Sequence, residues 1–396
     1  MPYTMTIDKG DSLFQLRSHQ DQASSQMSVN RLGKVIMPTG SGKTITMISD
    51  ALRSMSSSTE QTIVVVAPTI ALTNQLSREF LEYIDDVSVM HVHSGHSSHY
   101  TSTLPTNIYG WCTYIRGHKM IFTTYHSLPR IQYSMANVDT IYFDEAHNST
   151  KSNFFPSVEY YSQNARRCFY FTASPNHSLT PHKKGMNDDV YGEVIHTTPT
   201  TEMIDRGYIV PPTLKVIDSE EVVDGKYSQE VDISALINSL TTHQMNSVLI
   251  SCKNTTQLYH ITHSERYINF TEDQGYTTYS ISSKYGCFIN HHKVRRDVMF
   301  KDMRNNQGKF ILFHIETCAE GINLPKLDGI ILLRKLNTIK TVQSIGRVLR
   351  LSPGKTTGLV ILPTYSKYLK KSESTLKNLM ERVYVEGETP IQNVRK

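Results

Sequence analysis

Two short strings in this sequence have the residue types needed to bind and cleave a phosphoanhydride. The first is MPTGSGKT at 37–44. Gly40 and Gly42 let backbone N–H groups turn onto one anion without Cβ interference, with Thr39 and Ser41 between and beside them. A helix opening there adds the positive end of its dipole. Lys43 then reaches β- and γ-phosphates, and the Thr44 hydroxyl is a ligand for Mg²⁺. The second string is TIYFDEAH at 140–147, an apolar strand ending in two carboxylates. A carboxylate at a strand's C-terminal end faces the crevice where α/β sheets bind ligands. Asp144 suits Mg²⁺, and Glu145 suits orienting and deprotonating a water for in-line attack.

A third group lies far along the chain. Gln343, Arg347 and Arg350 fall at i, i+4 and i+7 in QSIGRVLR, which predicts one helical face, while Val342, Ile345 and Leu349 anchor the other faces. Two permanently charged guanidinium forks on one face suit a γ-phosphate.

Positioning such groups requires a parallel sheet. β-branched runs at 33–37, 62–67, 119–124, 140–144 and 167–172 alternate with helical periodicity, for example at 71–83 and 152–164. The pattern restarts with strands at 213–217, 247–251, 276–281, 309–313, 329–333 and 358–362, and helices near 233–244, 255–267 and 292–305. Near-continuous apolar strands separated by helices predict sheets covered on both faces. The paired prolines Pro211 and Pro212 favour extended chain, so the expected domains are 1–207 and 208–370, with 371–396 a short polar helix and tail. Residues 91–118 read as an irregular polar insertion around the single Trp111.

On these strings the chain resembles a superfamily 2 DEAH-motif helicase or translocase. Further motifs follow in family order: VVVAPTIAL at 64–72, FTTYHSL at 122–128, FTASP at 171–175, VLIS at 248–251 and TCAEGINLP at 317–325. The compact layout and the EGINLP and IGRVLR strings are most similar to the type III restriction motor and the recombination or transcript-release branch. The resemblance implies an α/β fold of two tandem RecA-like parallel-sheet domains, P-loop NTPases with a cleft between them. It implies ATP and Mg²⁺, with Lys43, Asp144, Glu145, Arg347 and Arg350 catalytic, and Gln20 reading adenine. Gly321 and Asn323 border the nucleotide, Asn323 standing where Asp is common and lacking its charge. His147, Thr172, Ser174 and Gln343 would couple the two sites. Pro68, Thr69, Thr123, Thr124 and Thr317 would hold nucleic-acid backbone phosphates without reading sequence. The implied partner is nucleic acid, DNA ahead of RNA, and a monomer suffices.

Composition narrows the rest. With 38% hydrophobic residues and 22 Tyr, wholesale disorder is excluded. The five cysteines show no C-x-x-C spacing, which fits reduced intracellular thiols better than a disulfide or zinc framework. His91, His93, His96 and His99 cluster without cysteine or carboxylate among them, a poor metal set. No apolar run approaches the ~20 residues a membrane helix needs, so a soluble intracellular protein is expected. A net charge of +5 tolerates a polyanionic partner without demanding one. Two rival readings use the same phosphate loop: an ATP-gated nucleic-acid clamp or sensor that does not unwind, and a small-molecule kinase. The kinase leaves the second α/β half and the arginine pair without a role.

Overall fold

The computed structural model describes residues 6–7, 14–56, 59–180, 182–217, 229–315, 327–334, 337–364 and 367–394. The chain forms two α/β units, and packing divides them between Pro199 and Thr200, ahead of the boundary expected at 207. Helix α7 (Thr200–Asp205) falls with the second unit because it packs on the late helix α13 (Lys367–Tyr384).

Unit 1 opens with the short pair β1 (Thr6–Ile7) and β2 (Phe14–Gln15), then α1 (Ser18–Val29). Its sheet comprises β3 (Leu32–Ile36), β4 (Thr62–Ala67), β5 (Val87–Val92), β6 (Tyr100–Thr101), β7 (His118–Thr124), β8 (Thr140–Phe143), β9 (Arg167–Thr172) and β11 (Val194–Thr197). These eight strands lie in the order β11-β3-β9-β8-β4-β7-β5-β6, all parallel. Successive β4 side chains enter opposite layers: Val64 and Val66 join one core, Ile63, Val65 and Ala67 the other. That two-sided burial is why the strand reads as an unbroken apolar run. Connecting helices are α2 (Lys43–Met55), α3 (Ile70–Leu81), α4 (Pro105–Tyr114), α5 (Leu128–Tyr133) and α6 (Phe155–Asn164). Thr69 caps α3 by accepting from the Leu72 N–H at 3.3 Å. A short strand β10 (Asn176–Ser178) follows β9.

Residues 91–118 are not an irregular insertion. β5 runs through His91 and Val92, and α4 begins with Pro105 in its first turn, where a missing N–H costs nothing. Polar His91 and Ser88 masked the strand's periodicity.

Unit 2 contains β12 (Pro212–Ile217), α8 (Gln229–His243), β13 (Ser247–Ser251), α9 (Thr255–Thr262), α10 (Glu265–Gln274), β14 (Tyr276–Ser282), β15 (Gly286–Ile289), β16 (His292–Val294), α11 (Arg296–Asn305), β17 (Lys309–His314), β18 (Gly329–Leu332), α12 (Thr338–Val348), β19 (Gly358–Pro363) and α13. Its sheet runs β12-β19-β18-β13-β17-β14-β15-β16, parallel up to β14 and antiparallel through the last two pairings. The single helix expected over 255–267 is two, because Ser264 is extended (φ −73°, ψ 128°). The helix expected from 292 starts later, since 292–294 form the edge strand β16. The final residues are more than a tail: β20 (Gln392–Val394) pairs in parallel with β10, returning the chain end to unit 1. Among the described residues no helix is long and apolar enough to cross a membrane.

Candidate active site

The phosphate loop follows β3 directly. Its first residue, Met37, is fully buried and its N–H donates to Thr172 O at 3.0 Å, tying the loop to the neighbouring strand β9. Gly40 and Gly42 both adopt φ +85°, the left-handed region that glycine enters at no steric cost. A Cβ at Gly42 would lie 2.2 Å from Gln20 Nε2, so the close approach needs glycine as well. Ser41 Oγ donates to Pro38 O at 2.8 Å. Gln20, buried, shapes this turn: it accepts from the Arg17 N–H at 2.9 Å and donates one of its two amide hydrogens to Ser41 O at 3.0 Å. His19 Nε2 meets the same carbonyl at 2.8 Å. Lys43 begins α2 half-buried, with Nζ only weakly held, 3.4 Å from Met37 O, and Thr44 is likewise half-buried. Thr39 is half-buried and Gly40 exposed at the mouth of the loop.

Across the sheet's C-terminal edge, β8 delivers the acidic pair. Asp144 is buried and held from below, its N–H donating to Val66 O at 2.8 Å and its carbonyl accepting from the Tyr125 hydroxyl at 2.9 Å. Burial, and then the Glu145 charge, push its carboxyl up to about 7, against the pull of Lys43. Glu145 stands at φ +46°, uncommon for a residue with a Cβ, and its buried Oε2 makes no hydrogen bond. Strain and an orphaned oxygen at one carboxylate are what a reaction site retains and a structural turn discards. The Asp144 carboxylate and the Thr44 hydroxyl, both hard oxygen donors, suit a Mg²⁺ ion.

A chain of polar contacts leads away from Glu145. Lys151 Nζ, which only donates, meets Asn148 Oδ1 at 2.8 Å, which fixes the amide's orientation. Asn148 Nδ2 therefore donates to His147 Nε2 at 3.1 Å, and the His147 proton sits on Nδ1. That proton faces Thr172 Oγ1 at 3.2 Å, with Glu145 Oε2 at 3.6 Å. Burial, the largest influence, lowers the His147 pKa and keeps the ring neutral. Thr172 in turn donates to Ser174 O and accepts from the Ser174 N–H. Asn148, Lys151 and Tyr125 went unremarked in the sequence. Only their spacing from the acidic pair would have flagged them.

Of the expected backbone-phosphate contacts, Pro68 and Thr69 are half-exposed at the start of α3. Thr123 cannot reach a phosphate, because it is fully buried and its hydroxyl donates to Val92 O at 2.8 Å. Thr124, 4% exposed, is occupied in a turn with Ser127. Thr317, Gly321 and Asn323 lie outside the described residues. In unit 2, Gln343 and Arg347 are on α12, but Arg350 lies beyond the helix and bridges Ile209, so the three do not share one helical face. Val342, Ile345 and Leu349 are buried as anchors. The Arg347 and Arg334 charges, added to burial, hold buried His314 neutral, its pKa lowered to about 3. Among the described residues no group of three or more His, Cys, Asp or Glu side chains is placed to hold a metal ion, and His91 and His93 bond each other at 3.1 Å.

Residues 13–177 match the family described as the type III restriction enzyme, res subunit, and residues 231–352 match the helicase conserved C-terminal domain. No curated protein matches. Among solved structures, the chain is similar to the ATP-dependent type ISP restriction-modification enzyme LlaBIII bound to DNA: 16% identity, TM-score 0.71, covering 98% of this chain and 32% of that one. It is also similar to a nuclease-deletion mutant of the type ISP enzyme LlaGI with a DNA substrate mimic (18%, TM-score 0.66, 96% and 30%). S. cerevisiae Dbp5 bound to RNA and ADP BeF3 matches along most of both chains (13%, TM-score 0.60, 95% and 89%). The chain spans about a third of the length of the two restriction enzymes.

Proposed function

Because this chain is a superfamily 2 helicase built of two RecA-like units and related to the type III restriction motor, we propose that it is a nucleic-acid-dependent ATPase that moves along or remodels DNA or RNA. The observation carrying this reading is the pairing of a glycine-shaped phosphate loop with a strained, orphaned Glu145 beside buried Asp144. Lys43 and the loop N–H groups bind the β- and γ-phosphates, while Gln20 shapes the loop and reads adenine. Glu145 takes the proton of the attacking water. Thr44 and Asp144 would hold Mg²⁺, which neutralises phosphate charge when bound. Arg347 and Arg350 serve the γ-phosphate, Asn323 and Gly321 the nucleotide, and Gln343 the coupling of hydrolysis to strand contact. Pro68, Thr69 and Thr317 grip backbone phosphates. DNA stands ahead of RNA as the proposed substrate, and similar structures solved with DNA and with RNA both suit a nucleic-acid partner.

The test is ATP turnover measured against single-stranded DNA, duplex DNA, a branched junction and single-stranded RNA at fixed salt, because phosphate-driven affinity depends steeply on salt. Stimulation by at least one of them is expected, and its loss in Lys43→Ala and Glu145→Gln. Wild-type turnover by either variant would refute the site. Arg350→Ala should bind ATP normally and hydrolyse it roughly a thousandfold more slowly, as arginine fingers do. Hydrolysis without displacement of a third strand from a triplex would move the reading to an ATP-gated clamp.

A further inference from the structure

Unit 2 carries an exposed feature with no part in the site above. The hairpin β15–β16 extends the sheet edge through a two-residue turn in which Asn290 (φ +40°) and His291 (φ +71°) are both left-handed. Such turns favour glycine at the second position, so histidine is held there against backbone strain. Asn290 is locked to β14, accepting from the Thr278 N–H at 2.8 Å and donating its own N–H to Thr278 O.

The His291 ring ends a ladder of four. It meets His263 edge-on at 5.6 Å and 69°, His263 stacks on Tyr259 at 3.8 Å and 20°, and Tyr259 lies 6.0 Å from Tyr285 at a tilt of 45°. His263 Nδ1 meets Tyr259 O at 2.9 Å, which keeps the central pair rigid. The ladder is open to solvent: Tyr259 is 47% and Tyr285 37% exposed, and both histidines are exposed. Lys284 Nζ sits 5.1 Å over the Tyr285 ring. The Lys293 stem crosses Gly286 beside it, 3.6 Å from where a Cβ would stand. Neither lysine has an ion-pair partner among the described residues. Exposed positions along α9 and the hairpin carry rings, hydroxyls, amides and cations and no aliphatic side chain. That composition is poor for an apolar protein interface and good for a strand whose bases stack and whose phosphates need cations.

We propose that this ladder, flanked by Lys284 and Lys293, is a docking track for single-stranded nucleic acid on unit 2, separate from the motif threonines. It rests on the functional reading above for its partner class. Rings supply sequence-tolerant stacking and the lysines supply charge, so the track grips a strand without reading it.

The experiment is anisotropy titration of a labelled oligothymidylate with the full chain at two salt concentrations, alongside ATP turnover without nucleic acid. Tyr259→Ala and Tyr285→Ala should each weaken binding about tenfold. Lys284→Glu with Lys293→Glu should flatten the salt dependence by about 0.7 per lost phosphate contact. His291→Gly is the decisive variant: glycine suits the turn, so thermal stability should hold or rise while affinity still falls. Basal turnover should be unchanged in all four. Wild-type affinity in the ring variants overturns the track. Loss on charge reversal alone also overturns it, leaving an unspecific polyanion patch. If the unaltered chain does not bind oligothymidylate, the track fails, whereas the functional reading fails only when none of the four nucleic acids stimulates turnover.

Discussion

A single amide sets the protonation pattern around the Glu145 carboxylate. With Asn148 Oδ1 committed to Lys151, its nitrogen must face His147 Nε2, and the imidazole proton is directed at Thr172 and Glu145. Asn148→Asp keeps the shape and replaces that donor with an acceptor. The ring must then carry a proton on Nε2, leaving Nδ1 bare beside the Glu145 carboxylate or the ring doubly protonated. Expected is near-normal ATP binding with stimulated turnover down roughly tenfold to a hundredfold, as for lost orienting partners elsewhere. Side-chain ¹⁵N shifts of His147 report the tautomer directly, and an unchanged pattern in the variant would sink the relay. A purely structural role for Asn148 predicts loss of stability with no change in tautomer.

At the scale of elements, the phosphate loop is held by both of its ends. Its entry is pinned to β9 through Met37 and Thr172, and its exit is the αL residue Gly42 that starts α2. The helix is itself braced: buried Asp50 accepts from Tyr142 OH and from Arg167, both at 2.6 Å, which couples α2 to β8 and β9. Gly42→Ala meets two penalties, the positive φ and the clash with Gln20. It should cost about 1–2 kcal/mol from backbone strain alone and cut nucleotide affinity at least tenfold. Gly354→Ala is the control, because φ is +76° there but no atom lies within 4 Å of the added Cβ. Calorimetric melting should show a backbone-strain cost in both, larger in the first by its clash, and nucleotide titration a deficit only in the first. Equal affinities would mean the loop relaxes around the methyl.

For the molecule as a whole, the active site works against stability. The Asp144 carboxyl, ordinarily at 3.8, is raised to about 7. Between those values the folded chain holds a proton that the unfolded chain releases. Its contribution is therefore complete below about pH 4 and lost as pH climbs through about 7. Asp144→Asn cannot ionise, so it should melt several degrees above the parent at pH 8 and level with it near pH 4, while losing hydrolysis. Melting curves across that range check the sign. A variant less stable than the parent at pH 8 would mean that the charge is compensated in the folded protein. The return of β20 to β10 is also a molecule-scale feature, because it makes the last residues part of unit 1.

What the sequence determined by itself was contiguous: MPTGSGKT, DEAH, the β-branched strands and hence two parallel sheets. A glycine turn, an apolar run and a carboxylate at its end need only residue type and local geometry to be recognised. Tertiary structure decided what depends on distant partners. Thr123 looks like a surface donor until Val92 O takes its hydroxyl, and Arg350 looks helical until it bridges Ile209. β5 hides behind His91, whose ring is buried by bonding His93 and Ser77. The edge strand β16 read as the start of a helix because it is too short to show alternation. Hydrogen-bond allocation and burial are set by neighbours far away in the chain, and no local pattern encodes which neighbour arrives.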